Sequence, residues 1–268
     1  MKRSVEETEE STNKKLKDKL FALASAAGGL GVGAGITYGV NPAFVKSSAL
    51  HYENINTPEG VKLENAIIKA HKEATGLPNP QIASDLPGLP SHLKLGGYMP
   101  RQVMSVSGLS QALNLPKNEG LVIAGPGATS FILAHELGHR AQDYHKLAGP
   151  SQLLGQVLPN VAGLATTAVS AKAHTNRGAL AKGLLTSYAL NLPRIASEVM
   201  ATRTANQYLK TAGIDTNQSV SLMQPLGYLL QPAAEGLISV AQGRMIRAVK
   251  NKLQNRKKQK EELIPVNQ

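Results

Sequence analysis

LVIAGPGATSFILAHELGHRAQDYH, residues 121–145, is the stretch on which the reading of this chain turns. Leu121, Val122, Ile123 and Ala124 make a short apolar β-type run, and Gly125, Pro126 and Gly127 stop it. A helix is expected next, with Thr129 or Ser130 as its N-cap and Phe131, Ile132, Leu133 and Leu137 on its buried face. On that helix His135 and His139 stand one turn apart. The spacing puts both imidazoles on one face, about 6 Å apart at Cβ, so each can offer a ring nitrogen to the same zinc ion. Glu136 lies one position along, where it can reach a water acidified by the metal without itself becoming a ligand. A shuffled chain of this composition would contain the pattern roughly 0.01 times, so chance is a poor explanation.

A zinc site that keeps a position open for chemistry needs a third protein ligand. The chain has no Cys, which leaves His and carboxylates as the strong ligand types and excludes disulfide frameworks and cysteine nucleophiles. Three candidates follow from position. His145 comes after His139 on a helix that would rotate it about 240° away, and Gln142 stands where a Gly would be needed to turn the chain back. Asp143 shares the face of His139 and is better suited to accept a hydrogen bond from an imidazole. Glu198 lies in residues 193–209, an amphipathic helical pattern that Pro193 is expected to open. A carboxylate on the apolar side of such a helix demands a partner, which is either the metal or one of Arg194 and Arg203.

The 268 residues include 42% apolar side chains, no Trp, 3 Phe, 7 Tyr and 25 Gly, a composition suited to closely packed, Ala-rich helices. The net charge is +11, and residues 244–268 supply +6 of it through Arg244, Arg247, Lys250, Lys252, Arg256, Lys257, Lys258 and Lys260. No aromatic residue is interleaved in that tail to stack on bases, so nucleic acid is not expected as a partner. Residues 1–19 mix acids and bases without an apolar period and read as a charged flexible arm.

Residues 20–45 carry no charge and are long enough to cross a bilayer as a helix. The pairs Gly29/Gly33 and Gly31/Gly35 repeat the small-residue spacing that lets membrane helices approach closely. Two further uncharged stretches, 147–171 and 183–193, read as an apolar helical hairpin; Pro159, Asn160 and the shortness of the second arm argue against two full spans. The basic leader, the loop between Lys172 and Lys182 and the basic tail would all lie on the cytoplasmic side if every apolar stretch crossed. Residues 46–213 form the expected catalytic domain, with the hairpin inserted at 147–193, and 214–268 an apolar helix with its basic tail. Residues 75–95 hold four prolines and read as an irregular connector, after a short amphipathic helix over 64–74.

The run Ala134-His135-Glu136-Leu137-Gly138-His139 with Gln142, an uncharged hairpin, and then Glu198, Ala201, Thr202 and Ala205 resemble the membrane-associated gluzincin zinc metallopeptidases, the HtpX/Ste24-like and YugP-like groups. The resemblance covers about residues 121–209. It implies a mainly α chain with a small β-sheet (α+β) around a zincin-like core, with Zn2+ held by His135, His139 and Glu198 and with Glu136 as general base. Arg140 departs from the pattern, which has an uncharged residue there, and Thr202 replaces the Asp of the HtpX/Ste24-like form, matching the YugP-like one more closely. The implied activity is a membrane-associated endopeptidase acting on a protein or peptide, in contact with membrane lipid. The alternative is a membrane-binding or assembly protein that keeps the zinc fold for structure.

An extended substrate is expected to join the edge of the 121–124 strand. Arg203, Tyr208 and His174 are candidate oxyanion donors, whereas His51, His71 and His92 have no paired spacing and read as surface or loop residues.

Overall fold

A computed structural model describes residues 2–84, 96–106, 111, 119–145 and 148–262. His92 and much of the Pro-rich connector lie outside the described residues. The described chain is mostly helical with one small sheet, an α+β arrangement. In chain order it runs α1 (Lys2–Gly35), a π-helical turn (Ile36–Val40), α2 (Asn41–His51), α3 (Pro58–Thr75), β1 (Gln81–Ala83), β2 (Gly97–Met99), α4 (Arg101–Val106), β3 (Leu121–Ile123), α5 (Ser130–Tyr144), α6 (Ala148–Lys172), α7 (Asn176–Thr211) and α8 (Gln218–Glu262).

The chain divides into two compact units. The unit formed by residues 37–157 and 192–229 contains the sheet and α5. Its strand order is β1-β3-β2, with β3 parallel to β1 and antiparallel to β2. All three β3 residues are buried, as a continuous apolar run in a central strand should be. This corrects the expected substrate edge: β3 is paired on both sides, and among the described residues β1 and β2 form the two margins of the sheet.

Helix α5 packs against α3, β2 and β3. Thr129 is its N-cap, accepting from the Ile132 amide at 3.4 Å, and Ser48 holds the Thr129 hydroxyl at 2.6 Å. Phe131, Leu133 and Leu137 bury completely, and the Phe131 ring meets Tyr52 at 5.3 Å and Phe44 at 6.0 Å between centroids. Each such side chain withdrawn from water contributes about 1.5–3 kcal/mol. Helix α3 is bounded as its sequence demands, by Thr57 accepting from the Gly60 amide and by Gly76 in the left-handed region at φ 69°.

Two boundaries differ from expectation. Residues 2–19 are the opening turns of α1 rather than an irregular arm, since Glu, Lys and Leu are good helix formers even without an apolar stripe. Pro193 does not open a helix but sits inside α7. Helix α6 packs closely there: a Cβ added at Gly155 would lie 3.0 Å from the Arg194 amide nitrogen, so the glycine lets the two backbones nearly touch.

The second unit, residues 1–36, 158–191 and 230–268, consists of parts of α1, α6, α7 and α8. Its helices meet at glycines. A Cβ at Gly29 on α1 would lie 2.8 Å from the Ala234 carbonyl oxygen of α8, and one at Gly243 on α8 would lie 2.6 Å from the Thr167 carbonyl oxygen of α6. The Gly29/Gly33 face of α1 therefore turns to α8, whereas Gly31 and Gly35 meet nothing within 4 Å. Ala22, Ser25, Ala162, Ser170, Ala179, Ser187 and Ser239 are buried, while Leu20, Leu23, Leu30, Leu164, Leu185, Ile246 and Val249 are exposed. Residues Thr12–His51 form a helix long and apolar enough to cross a membrane.

Candidate metal centre

Every residue of the centre belongs to the sheet-containing unit. Helix α5 presents His135 and His139 on one face, and α7 brings Glu198 to meet them. The approach of the two helices is made at Gly138: an added Cβ would lie 2.6 Å from the carbonyl oxygen and 2.9 Å from the Cα of Ala201. Small residues on α7, Ala201 and Ala205, are fully buried there.

Glu198 Oε2 lies 3.1 Å from His135 Nε2 and 3.4 Å from His139 Nε2, and one ligand atom from each residue falls within 4.8 Å of the others. Tetrahedral zinc with bonds near 2.1 Å separates its ligand atoms by about 3.4 Å, so the spacing suits such an ion. The far sides of both rings are held. Thr202 Oγ1 stands 3.2 Å from His135 Nδ1, and Ser197 Oγ stands 3.4 Å from His139 Nδ1. The Ser197 hydroxyl donates to Gln142 Oε1 at 2.7 Å, which leaves its lone pairs for the His139 N–H. The tautomer that donates Nδ1–H to these hydroxyls leaves both Nε2 lone pairs free, as ligation of a cation requires.

Without an ion the contacts to Glu198 set the charges, with an Nε2–H donating to the carboxylate. Burial and the two imidazoles act in opposite senses on Glu198; the imidazoles win and hold its carboxyl well below the usual carboxylate range. Burial pushes His135 down, keeping it neutral. For His139 burial also opposes charge, but the Glu198 and Glu136 carboxylates outweigh it and the net direction is upward. Glu136 is buried beside the centre, and burial pushes its carboxyl up to about 7.

The other position candidates are placed elsewhere. Asp143 accepts from the Tyr98 hydroxyl at 2.7 Å and the Arg101 amide at 3.0 Å, so it serves β2 and α4 rather than an imidazole. His145 is the exposed C-cap of α5. Arg203 is exposed and Arg194 lies over the Tyr228 ring at 4.7 Å, so neither pairs with Glu198. Among the proposed oxyanion donors, Arg203 and His174 are exposed and Tyr208 bonds His71 Nδ1 at 3.1 Å. His51 is exposed on α2, bonding the Ser47 carbonyl.

His71, expected at the surface, is fully buried on α3, where it accepts from Arg140 Nη1 at 2.7 Å. Arg140 thus points away from the metal ligands, which explains how a charged residue can follow His139. Sequence reasoning missed three residues near the centre: Ser197, Gln224 and Tyr228. Gln224 on α8 reaches His135 Nε2 with its amide nitrogen at 2.9 Å. Tyr228, one turn further, is close enough to Glu198 for that carboxylate to raise its hydroxyl above the ordinary range, with burial adding to the effect.

The class that these features define is a buried two-histidine, one-carboxylate site able to hold a metal ion. Comparison with protein-family models, curated proteins and solved structures gives no match.

Proposed function

We propose that the chain is a zinc-dependent, membrane-associated endopeptidase of the gluzincin kind. The observation that carries the reading is the convergence of His135, His139 and Glu198 with Glu136 buried one position along. When bound, zinc would supply Lewis acidity, polarising a peptide carbonyl and acidifying water. Glu136 takes a proton at its carboxylate and later returns it to the leaving amine nitrogen. Thr202 and Ser197 keep the two rings in the tautomer that exposes Nε2.

Strand β2 is the suggested docking edge for an extended peptide. A Cβ at Gly96, the residue before it, would lie 3.5 Å from Glu136 Oε1, so a chain paired to β2 would run past the base.

Membrane association is supported by the unit made of α1, α6, α7 and α8 segments, whose interior is small and polar and whose surface carries Leu, Ile and Val. Arg244 donates to the Ala173 carbonyl at 3.1 Å and pairs with Asp18, bringing the start of the basic tail to the charged leader and the 172–182 loop within that unit. The same features favour the second reading, a lipid-binding assembly protein that keeps the metal for structure. Glu136→Gln separates the two. It is expected to retain the metal and lower peptide cleavage by about 10²- to 10⁴-fold. Undiminished biological function of that variant, with the metal retained, would support the second reading.

A further inference from the structure

We propose that Gln224 closes the centre at rest by placing its side-chain carbonyl oxygen in the fourth ligand position; this rests on the metal-site reading above. Gln224 Nε2 and Glu198 Oε2 both address His135 Nε2, at 2.9 and 3.1 Å. One nitrogen cannot satisfy both. If it carries a proton it suits the carboxylate and opposes the amide N–H; if it carries a lone pair it suits the amide and opposes the carboxylate. Meanwhile Gln224 Oε1 is buried with no hydrogen-bond partner among the described residues, the more costly state for an amide oxygen.

A half-turn of the terminal amide removes the conflict at His135 once a cation is present, because the N–H that opposes a ligating Nε2 is exchanged for an oxygen. Oε1 then stands where Nε2 stands now, 2.9 Å from His135 Nε2, so a small outward shift of the side chain brings it to the spacing of about 3.4 Å between ligands of one ion. His135 Nε2, His139 Nε2, Glu198 Oε2 and Gln224 Oε1 become four acceptors facing one charge. Four protein ligands make a closed site, and an open one requires Gln224 to leave. Its place on α8 suits departure. Pro225 follows directly and has no N–H to give the Ser221 carbonyl, so this turn lacks one backbone bond. Displacement of a neutral amide also costs less electrostatically than displacement of Glu198, which makes Gln224 the ligand that yields to substrate.

The test uses the full-length protein loaded with Co2+ alone, titrated with azide and followed by its visible d–d bands. Wild type is expected to bind one Co2+ and leave its spectrum unchanged by azide. Gln224→Ala should still bind one Co2+, about 10- to 100-fold more weakly, with a changed spectrum that azide shifts further. Gln224→Glu, which keeps an oxygen donor, should remain silent to azide. A wild-type spectrum that azide shifts as readily as that of Gln224→Ala overturns the closed site while leaving the three-ligand centre intact. Failure of wild type to take up Co2+ overturns the underlying metal reading instead, and the two results cannot be confused.

Discussion

His71 shows at the scale of a single residue how burial, rather than residue type, decides chemistry. The ring accepts from Arg140 on α5 and meets Tyr208 on α7, and burial first, then the Arg140 charge, pushes its pKa down to about 4. In the unfolded chain an imidazole titrates near 6.5, so between about 6.5 and 4 the unfolded state binds a proton that the folded state refuses. Stability from this group is fully present above the unfolded value and is lost as the pH falls toward 4, by up to about 3 kcal/mol. Chemical denaturation from pH 7.5 to 4 should therefore show a steeper loss for wild type than for His71→Gln. Equal slopes would mean that His71 is not the group responsible.

The spacing of His135, Glu136 and His139 was readable because helical period alone fixes which side chains share a face. A carboxylate on an apolar face marks Glu198 as needing a partner, but its own sequence leaves the metal, Arg194 and Arg203 open. Gln224 was not: a neutral amide in a proline-broken apolar stretch carries no anomaly until the fold brings it to His135. His71 was readable and was misread, since it lies one turn from Ile67 on the face that Ile67 buries.

Among the elements, the contact between α5 and α7 is what turns three residues into a site. Gly138→Ala would drive a methyl group against the Ala201 backbone, which cannot move aside as a side chain could. Overpacking of this kind costs about 1–3 kcal/mol, and it should also weaken metal binding, because the helices separate at the level of the ligands. Denaturant melts with and without zinc measure both effects; an unchanged metal affinity would show that the close approach is not needed. The strand before α5 and the cap at Thr129 followed from local sequence, because Gly-Pro-Gly and a hydroxyl before an apolar run leave few alternatives. The passage of α7 through Pro193 did not, because a proline read locally marks a helix start. The partners of β3 lie far away in sequence, at residues 81–83 and 97–99, so its central place was equally illegible from its own residues.

Taken as a whole, the molecule combines a unit with a conventional apolar core and a unit whose large apolar side chains face outward. In water such a surface would associate, whereas lipid tails accommodate it without cost. The protein should therefore float with phosphatidylcholine vesicles and remain with them after a high-salt wash. The basic end should add a salt-sensitive preference for anionic lipid. A monodisperse protein in buffer without detergent, left behind by vesicles, would contradict this. Charge and hydropathy made the apolar segments visible along the chain, but only the helix contacts reveal which glycines pack and which stand open.

The central claim, that two histidines of α5 and a glutamate of α7 hold one ion, is tested most directly by metal content at equal folding. Wild type should bind one zinc per chain, and His139→Ala and Glu198→Ala, with the same far-ultraviolet circular dichroism, should lose it or bind at least about 100-fold more weakly. Zinc retained equally by all three proteins, or absent from a folded wild type offered the metal, would contradict the account.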